Sequence, residues 1–193
     1  MGPEIIDVNA GNVARTGFFC FMSKRKNPGY AQKLCWLEKR FAEGLRIKLL
    51  RPPERGFIEY VPGERAWRPL RAKGYMVVHC LWVVGKSKGQ GSASALLGEC
   101  IADAKRAGMK GVAMVASGIG YMKWQRFLAK HGFASVDTAP PSYELMALRF
   151  GSAPWPRFSG DWDKKARACG KGLTILKTGQ CPYFDDATAA LLD

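Results

Sequence analysis

The sequence predicts an α/β (α+β) fold, with a central sheet flanked by helices and a small C-terminal strand-loop-helix extension. Three observations predict it. Residues 75–84 (YMVVHCLWVV) are almost continuously apolar and β-rich, the pattern of a central strand buried on both faces. A glycine loop and an amphipathic helix follow at once. Helix and strand patterns then alternate as far as residue 150.

The elements can be justified in order. Residues 4–8 (EIIDV) read as a short first strand. Asn27-Pro28 is an N-cap with proline at the first helical position. Leu34, Leu37 and Phe41 then recur at helical spacing, and Gly44 stops the helix. Residues 46–50 and 57–61 are strands joined by the turn RPPERG, which makes a hairpin. Residues 61–74 form a long loop with Pro62, Gly63, Pro69 and Gly74. After the central strand, Ala93, Leu96, Leu97, Cys100, Ile101 and Ala104 lie on one helical face, and Gly108 ends that helix. Residues 111–117 are a second buried strand. Residues 121–131 are a helix with Trp124, Phe127, Leu128 and His131 on one side, and 142–150 are the final strand of the main unit. Residues 151–172 have linker composition. LTILK (173–177) reads as a strand, TGQCP as a loop, and 182–192 as a helix.

Composition narrows the function classes. The chain has 193 residues, 47% hydrophobic and 24% charged, an ordinary globular balance. No apolar run approaches the roughly 20 residues of a membrane helix. MGPEIIDVNAG has neither the basic nor the apolar region of a secretory signal, and a cytoplasmic protein is expected. The six cysteines form no CxxC, and only His79 and His131 could join them, so no metal site is expected. Reduced thiols fit that compartment better than a disulfide framework. The net charge is +14, spread over the first 150 residues without a basic tail. Such a charge attracts polyanions, whether nucleic acid or a phosphorylated cofactor. No zinc finger, basic zipper or RNP aromatic motif favours nucleic acid.

The chemistry-bearing unit is the strand, glycine loop and helix at 75–107. Small residues in Lys88-Gly89-Gln90-Gly91-Ser92-Ala93 let a ligand approach the backbone. The helix N-terminus behind them offers unpaired N–H groups and a partial positive charge, which suits a pyrophosphate, with Lys86 and Lys88 adding charge. A Walker loop is excluded because no Lys follows the last glycine. A dinucleotide fingerprint is excluded because Ser94 stands where its third glycine belongs.

Lys88-x-x-Gly91-x-Ala93 followed by Leu96-Leu97 resembles the (Arg/Gln)-x-x-Gly-x-(Gly/Ala) motif with which GNAT acyltransferases cradle the pyrophosphate of coenzyme A. Phe127-Leu128-Ala129-Lys130-His131-Gly132-Phe133 is similar to the second signature of that superfamily, FYxKxGF. The order of elements agrees over residues 1–150. FIEYVPGERAW, GYMVVHCLWVVGK and TGQCPY further resemble the YoaP-like subgroup, in which a GNAT domain precedes a small C-terminal domain. The resemblance implies a mixed, mostly antiparallel sheet and three segments: an acetyltransferase domain at 1–150, a linker at 151–172, and the start of a second domain at 173–193. It also implies acetyl-CoA as co-substrate and an amine as acceptor. Backbone groups near Leu81, Trp82 and Val83 would receive the thioester oxygen, and the 86–94 loop would hold the pyrophosphate. The sequence departs from the pattern at Lys88, where Arg or Gln is usual. It departs again at Leu128, where many members carry a Tyr that protonates the leaving thiolate; Tyr121, Tyr143 and Cys80 are the substitutes.

The amine must lose a proton, and three residues are candidate bases. Glu59 lies on the strand beside the central one, Glu64 in the loop after it, and His79 within the central strand. Strand alternation groups His79 with Val77, Leu81 and Val83. Each has a structural reading too: an outward carboxylate for Glu59, a partner of Arg65 or Arg68 for Glu64, and a core histidine for His79. Cys181-Pro182-Tyr183-Phe184 resembles the CPYC of glutaredoxins with Phe184 for the second cysteine, so Cys181 is either a reactive thiol or a buried cap. An N-acetyltransferase is the leading reading. The alternatives are a nucleic-acid- or ribosome-associated basic module and a non-catalytic coenzyme A sensor.

Overall fold

A computed structural model describes residues 2–192. Its elements run β1 (Ile5–Val8), α1 (Val13–Thr16), α2 (Pro28–Ala42), β2 (Arg46–Leu50), β3 (Gly56–Pro62), β4 (Leu70–Arg71), β5 (Tyr75–Val83), α3 (Ser92–Arg106), β6 (Gly111–Ser117), α4 (Gln125–Lys130), β7 (Ala134–Ala139), β8 (Tyr143–Arg149), β9 (Arg157–Phe158), α5 (Trp162–Ala168) and α6 (Phe184–Leu192). Seven strands form one sheet in the order β1-β2-β3-β5-β6-β8-β7. Its pairs are antiparallel except β5 with β6, which are parallel.

The local signals work as expected where they are strong. The Asn27 side chain accepts from Gly29 N at 2.8 Å, with Pro28 at the first helical position, and α2 starts there. β5 is buried along most of its length because α3 covers one face, while on the other Ala72 and Phe158 cover Tyr75 and Val77, and α2 with the 17–22 loop covers Cys80 and Trp82. Leu96, Leu97, Cys100 and Ala104 of α3 pack against Ile58, Met76, Val78 and Leu81. Each fully buried aliphatic side chain of this kind contributes about 1.5–3 kcal/mol. A polar clamp fixes the far end of α3: Asp103, nearly fully buried, accepts from Tyr60 Oη at 2.6 Å and Arg46 Nη1 at 3.1 Å, and also meets Lys48 and Arg106.

Several expectations need correction. The long loop at 61–74 contains β4, and the stretch of linker composition contains β9 and α5; β4 and β9 pair with each other. β7 was not expected. Its Ser135, Asp137 and Thr138 dilute the apolar pattern, but it pairs along β8 as an edge strand. The helix predicted over 121–131 is a 3₁₀ turn at 120–122 followed by the shorter α4. Residues 173–177, predicted as a strand, join no ladder; Leu173 and Leu176 are exposed, because no apolar face is there to receive them.

The grouping of His79 with Leu81 and Val83 also fails. The β3–β5 register shifts between Glu59 (opposite Cys80) and Tyr60 (opposite Val78), which leaves His79 as the extra residue of a β-bulge. Beyond it the faces exchange. Leu81 and Val83 join Met76 and Val78 under α3, whereas Cys80 and Trp82 turn to the α2 side.

Candidate active site

β5 and β6 pair only from Tyr75–Gly111 to Val78–Met114. From His79 to Val83 the β6-facing edge of β5 has no strand partner among the described residues, so the sheet opens into a V at the bulge. Backbone N–H groups left free on such an edge can bind a developing negative charge. Leu81, Trp82 and Val83, expected at this position, form that open edge.

The α3 end of the V leads to the glycine loop. Gly91 is the N-cap of α3 in the left-handed region (φ 76°), and its carbonyl accepts from Ala95 N. A Cβ built on Gly89 or Gly91 meets no protein atom within 4 Å. The loop is therefore open where a ligand would lie, and Lys86, Lys88 and Gln90 are exposed around it. Ser92 is buried, and Ala93 packs against the core. Ser94 Oγ is 3.0 Å from His131 Nε2, and His131 Nδ1 is 2.9 Å from the Phe127 carbonyl, which ties α4 to the start of α3. These residues fit a pyrophosphate on geometric grounds: open space, positive-φ glycines, unpaired helix N–H groups and adjacent lysines.

The opposite side of the V holds the titratable groups. Glu59 and Lys33, 0% and 2% exposed, form an ion pair at 2.8 Å. Glu59 Oε1 has no partner among the described residues. Burial opposes the Lys33 charge, but Glu59 outweighs it and raises the Lys33 pKa above the usual range. His79 is 4% exposed and stacks on Trp67 at 3.8 Å, with both ring nitrogens unpartnered among the described residues. Burial, reinforced by the Arg68 charge, holds His79 well below the usual imidazole range, so its neutral form is favoured and protonation is opposed. Arg68 Nη2 donates to the His79 carbonyl at 3.0 Å, while its Nε is buried and unpartnered among the described residues. Cys80, opposite Glu59 in the register, is pushed up to about 12 by burial and then by that carboxylate, so it stays a thiol.

The candidates therefore separate. Glu59 and His79 both lie at the bulge. Glu64 does not: it is exposed, and its Oε1 accepts from Gly74 N at 2.8 Å, closing the loop before β5. Leu128 is a fully buried core residue beneath α3. Tyr121, largely exposed, approaches Trp82 edge-on at 6.2 Å. Tyr121 and Tyr143 both line a cavity of about 980 Å³ that is also walled by Arg68, Val115, Phe158 and α5. Val115 is the first β6 residue past the last β5 pair, so this cavity opens onto the V. No local pattern marks Arg68 or Lys33 as site residues; each reaches the bulge only through tertiary structure.

The C-terminal segment lies over this side. Gln180 Oε1 accepts from Trp67 Nε1 at 2.8 Å, Tyr183 tilts against Phe21 at 4.2 Å, and Gly179 sits on Trp36. A Cβ on Gly29 would come within 2.6 Å of the Pro182 carbonyl, so that approach requires glycine. Cys181 is exposed and lies three residues before α6, not within its first turn.

No family model matches the chain. It is 37% identical over 182 residues to an uncharacterized N-acetyltransferase, YoaP, of Bacillus subtilis (strain 168), covering 92% of this chain and 72% of that protein. Among solved structures it is similar to Ard1 of Thermoplasma volcanium, with TM-score 0.53 and 16% identity over 79% of this chain and 100% of that one. An acetyltransferase of the GNAT family from Staphylococcus aureus MU50 gives TM-score 0.50 and 14% identity over 76% and 98%. At such identities the solved structures speak for the fold, a GNAT fold, and the Bacillus relative speaks for the family. The chain belongs to the family of the YoaP N-acetyltransferase and has the GNAT fold.

Proposed function

We propose that the transfer takes place at the β5 bulge, with coenzyme A held on the α3 side and the amine presented from the α2 side. One observation carries this reading. Four buried polar atoms lacking partners among the described residues, Glu59 Oε1, Arg68 Nε, His79 Nδ1 and His79 Nε2, gather where the sheet opens. Buried polar groups are nearly always satisfied, and leaving one unpaired costs about 1–3 kcal/mol. Such a cluster is what a site keeps for a ligand.

Acetyl-CoA supplies an activated acyl group when bound. Lys86, Lys88, Gly89, Gln90, Gly91 and the first turn of α3 through Ser94 would hold its pyrophosphate. The free β5 edge at Leu81–Val83 would stabilise charge on the carbonyl oxygen. His79 and Glu59, facing each other across the strand pair at the bulge, are the two candidates to take the amine proton; burial and the Arg68 charge disfavour the His79 imidazolium, which weighs against it as the base. Leu128 supplies no acid, so a tyrosine of the cavity wall, Tyr121 or Tyr143, would protonate the leaving thiolate.

The division into an acetyltransferase domain at 1–150, a linker at 151–172 and the start of a second domain at 173–193 belongs to this proposal, as does a cytoplasmic location. The six free cysteines support that location. No helix among the described residues is long and apolar enough to cross a membrane. Native mass spectrometry of the purified protein tests the cofactor, and thiol release over a panel of amines tests turnover. Bound coenzyme A without release for any amine would favour a sensor; absence of coenzyme A binding would defeat the proposal.

A further inference from the structure

Arg68 is a charge at the site for which the transfer reaction itself has no use. Its guanidinium forms no ion pair with any carboxylate among the described residues, and its one hydrogen bond there goes to the His79 carbonyl. The side chain is partly buried, with Nε wholly so, and it forms part of the cavity wall next to Tyr121 and Tyr143. Burial lowers its pKa, and the nearby Cys80, Tyr121, Tyr143 and Glu59 oppose that shift without reversing it. The α5 wall of the same cavity carries two charges of each sign, Asp161, Asp163, Lys164 and Arg167, and Asp161 lies 4.0 Å from Arg71. That wall is exposed and balanced; Arg68 is recessed and has no carboxylate in ion-pair contact among the described residues.

A guanidinium presents a planar fork of donors that matches a carboxylate. An acceptor bringing that carboxylate would satisfy Arg68 beside the bulge, within a short chain's reach of the open β5 edge. We propose that the acetyl acceptor is a short amino-carboxylate, an amino acid or a close analogue, whose carboxylate pairs with Arg68 while its amine faces the bulge. The aromatic wall of Tyr121, Tyr143, Phe158 and Trp162 would take its side chain. The proposal rests on the acetyltransferase reading above.

Matched probes test it: phenylalanine, leucine and glutamate against their α-carboxamides, assayed by acetyl-CoA-dependent thiol release. The carboxamides have the more readily deprotonated amines, so a preference for the acids cannot arise from amine protonation. The free acids are expected to be favoured in kcat/KM by about 100-fold, because removing one member of a desolvated charge pair costs about two powers of ten. In Arg68→Gln the ratio should collapse to within about threefold, and Arg68→Lys should retain part of it, since it keeps the charge without the fork. Carboxamides turned over as well as the acids by the wild-type protein would overturn the proposal, and that result needs no folded variant. An equal loss for both members of a pair in Arg68→Gln would also overturn it, leaving Arg68 as a brace for the bulge. If turnover is slow, calorimetric binding of the same pairs in the presence of coenzyme A decides the matter, with tighter binding of the acids supporting the proposal and equal affinities overturning it. Failure to bind coenzyme A at all would instead defeat the acetyltransferase reading, a different result in the same experiment.

Discussion

Replacing Glu59 by Gln is the obvious test of a base, but the structure changes what it measures. Glu59 and Lys33 are both buried and pair at 2.8 Å, so Glu59→Gln leaves an ammonium without its counter-charge in the core. Breaking a buried pair from one side costs about 3–5 kcal/mol. Against a total stability of about 5–15 kcal/mol, that is a fifth or more of what holds the fold together. For a chain of this size each kcal/mol moves Tm by about 2–4 °C, so Glu59→Gln should melt roughly 6–20 °C lower. Lys33→Met should fall by a similar amount, because it strands the carboxylate. The double variant Lys33→Met/Glu59→Leu should recover most of the loss, since a packed apolar pair is often as stable as the ion pair it replaces. Urea unfolding of the wild type, Lys33→Met, Glu59→Leu and the double variant closes the cycle. Lys33 adds a pH signature. Its pKa is raised in the fold, so its contribution is complete below the unfolded value of about 10.4 and fades as pH rises through the folded one. Lys33→Met should lack that alkaline decline. Thiol release by the double variant then isolates catalysis from folding. If Glu59 is the base, turnover falls about 10²–10⁴-fold in a stable protein. Single variants losing under about 1 kcal/mol would refute the structural argument, and full activity in the double variant would remove Glu59 from the base role, leaving His79 or water.

Other outcomes follow from the same geometry. Gly91→Val should abolish coenzyme A binding by calorimetry; because φ is 76° there, strain alone costs about 1–2 kcal/mol, and Lys88→Glu serves as the strain-free companion. Unchanged affinity in both would remove the loop from the site. The +14 charge should give only weak duplex binding, falling steeply between about 50 and 200 mM salt as phosphate neutralisation does; sequence-selective nanomolar binding at physiological salt would promote a nucleic-acid role. Burial alone would raise the pKa of Asp103, but the Tyr60 hydroxyl with Lys48 and Arg46 holds it below the carboxylate range. Its stabilisation is therefore present above about pH 4 and lost as pH falls through the folded value. Asp103→Asn should lower stability by about 1–3 kcal/mol at pH 7 and by progressively less as pH falls through the folded value, read from denaturant curves.

What was legible in the sequence was whatever local chemistry dictates. Asn27-Pro28 capped a helix, and Gly91 and Gly108 bracketed another. The apolar run at 75–83 became the central strand because it has apolar partners on both faces. Elements that depend on distant partners were not legible. β4 and β9 are two-residue strands that exist only because each supplies the other's edge, and β7 lies on β8 with little apolar pattern of its own. Conversely, LTILK has strand composition, but no edge receives it. The same division runs through the site. The glycine loop could be read because its geometry is local. Glu59 could be named but not weighed, because its ion pair is with Lys33, 26 residues away in another element. Arg68 reads as a surface partner for Glu64, which instead holds the Gly74 amide.

The bulge at His79 links these observations. Regular alternation along β5 would place Cys80 and Trp82 with Val78 beneath α3, and Leu81 and Val83 on the other side. One inserted residue reverses this: two aliphatic side chains enter the α3 core, and an aromatic wall turns to the acceptor side. The same insertion falls immediately after the last β5–β6 pair, so the backbone groups freed by the opening sheet and the side chains redirected by the bulge meet at one place. Arg68 holds the bulged carbonyl, and Trp67 holds the bulged ring. A histidine whose ring nitrogens find no partner among the described residues is a poor choice for fastening a strand, and an apolar residue would serve that purpose at less cost. Its presence at the bulge is better explained by a hydrogen bond to a bound ligand than by what the fold needs.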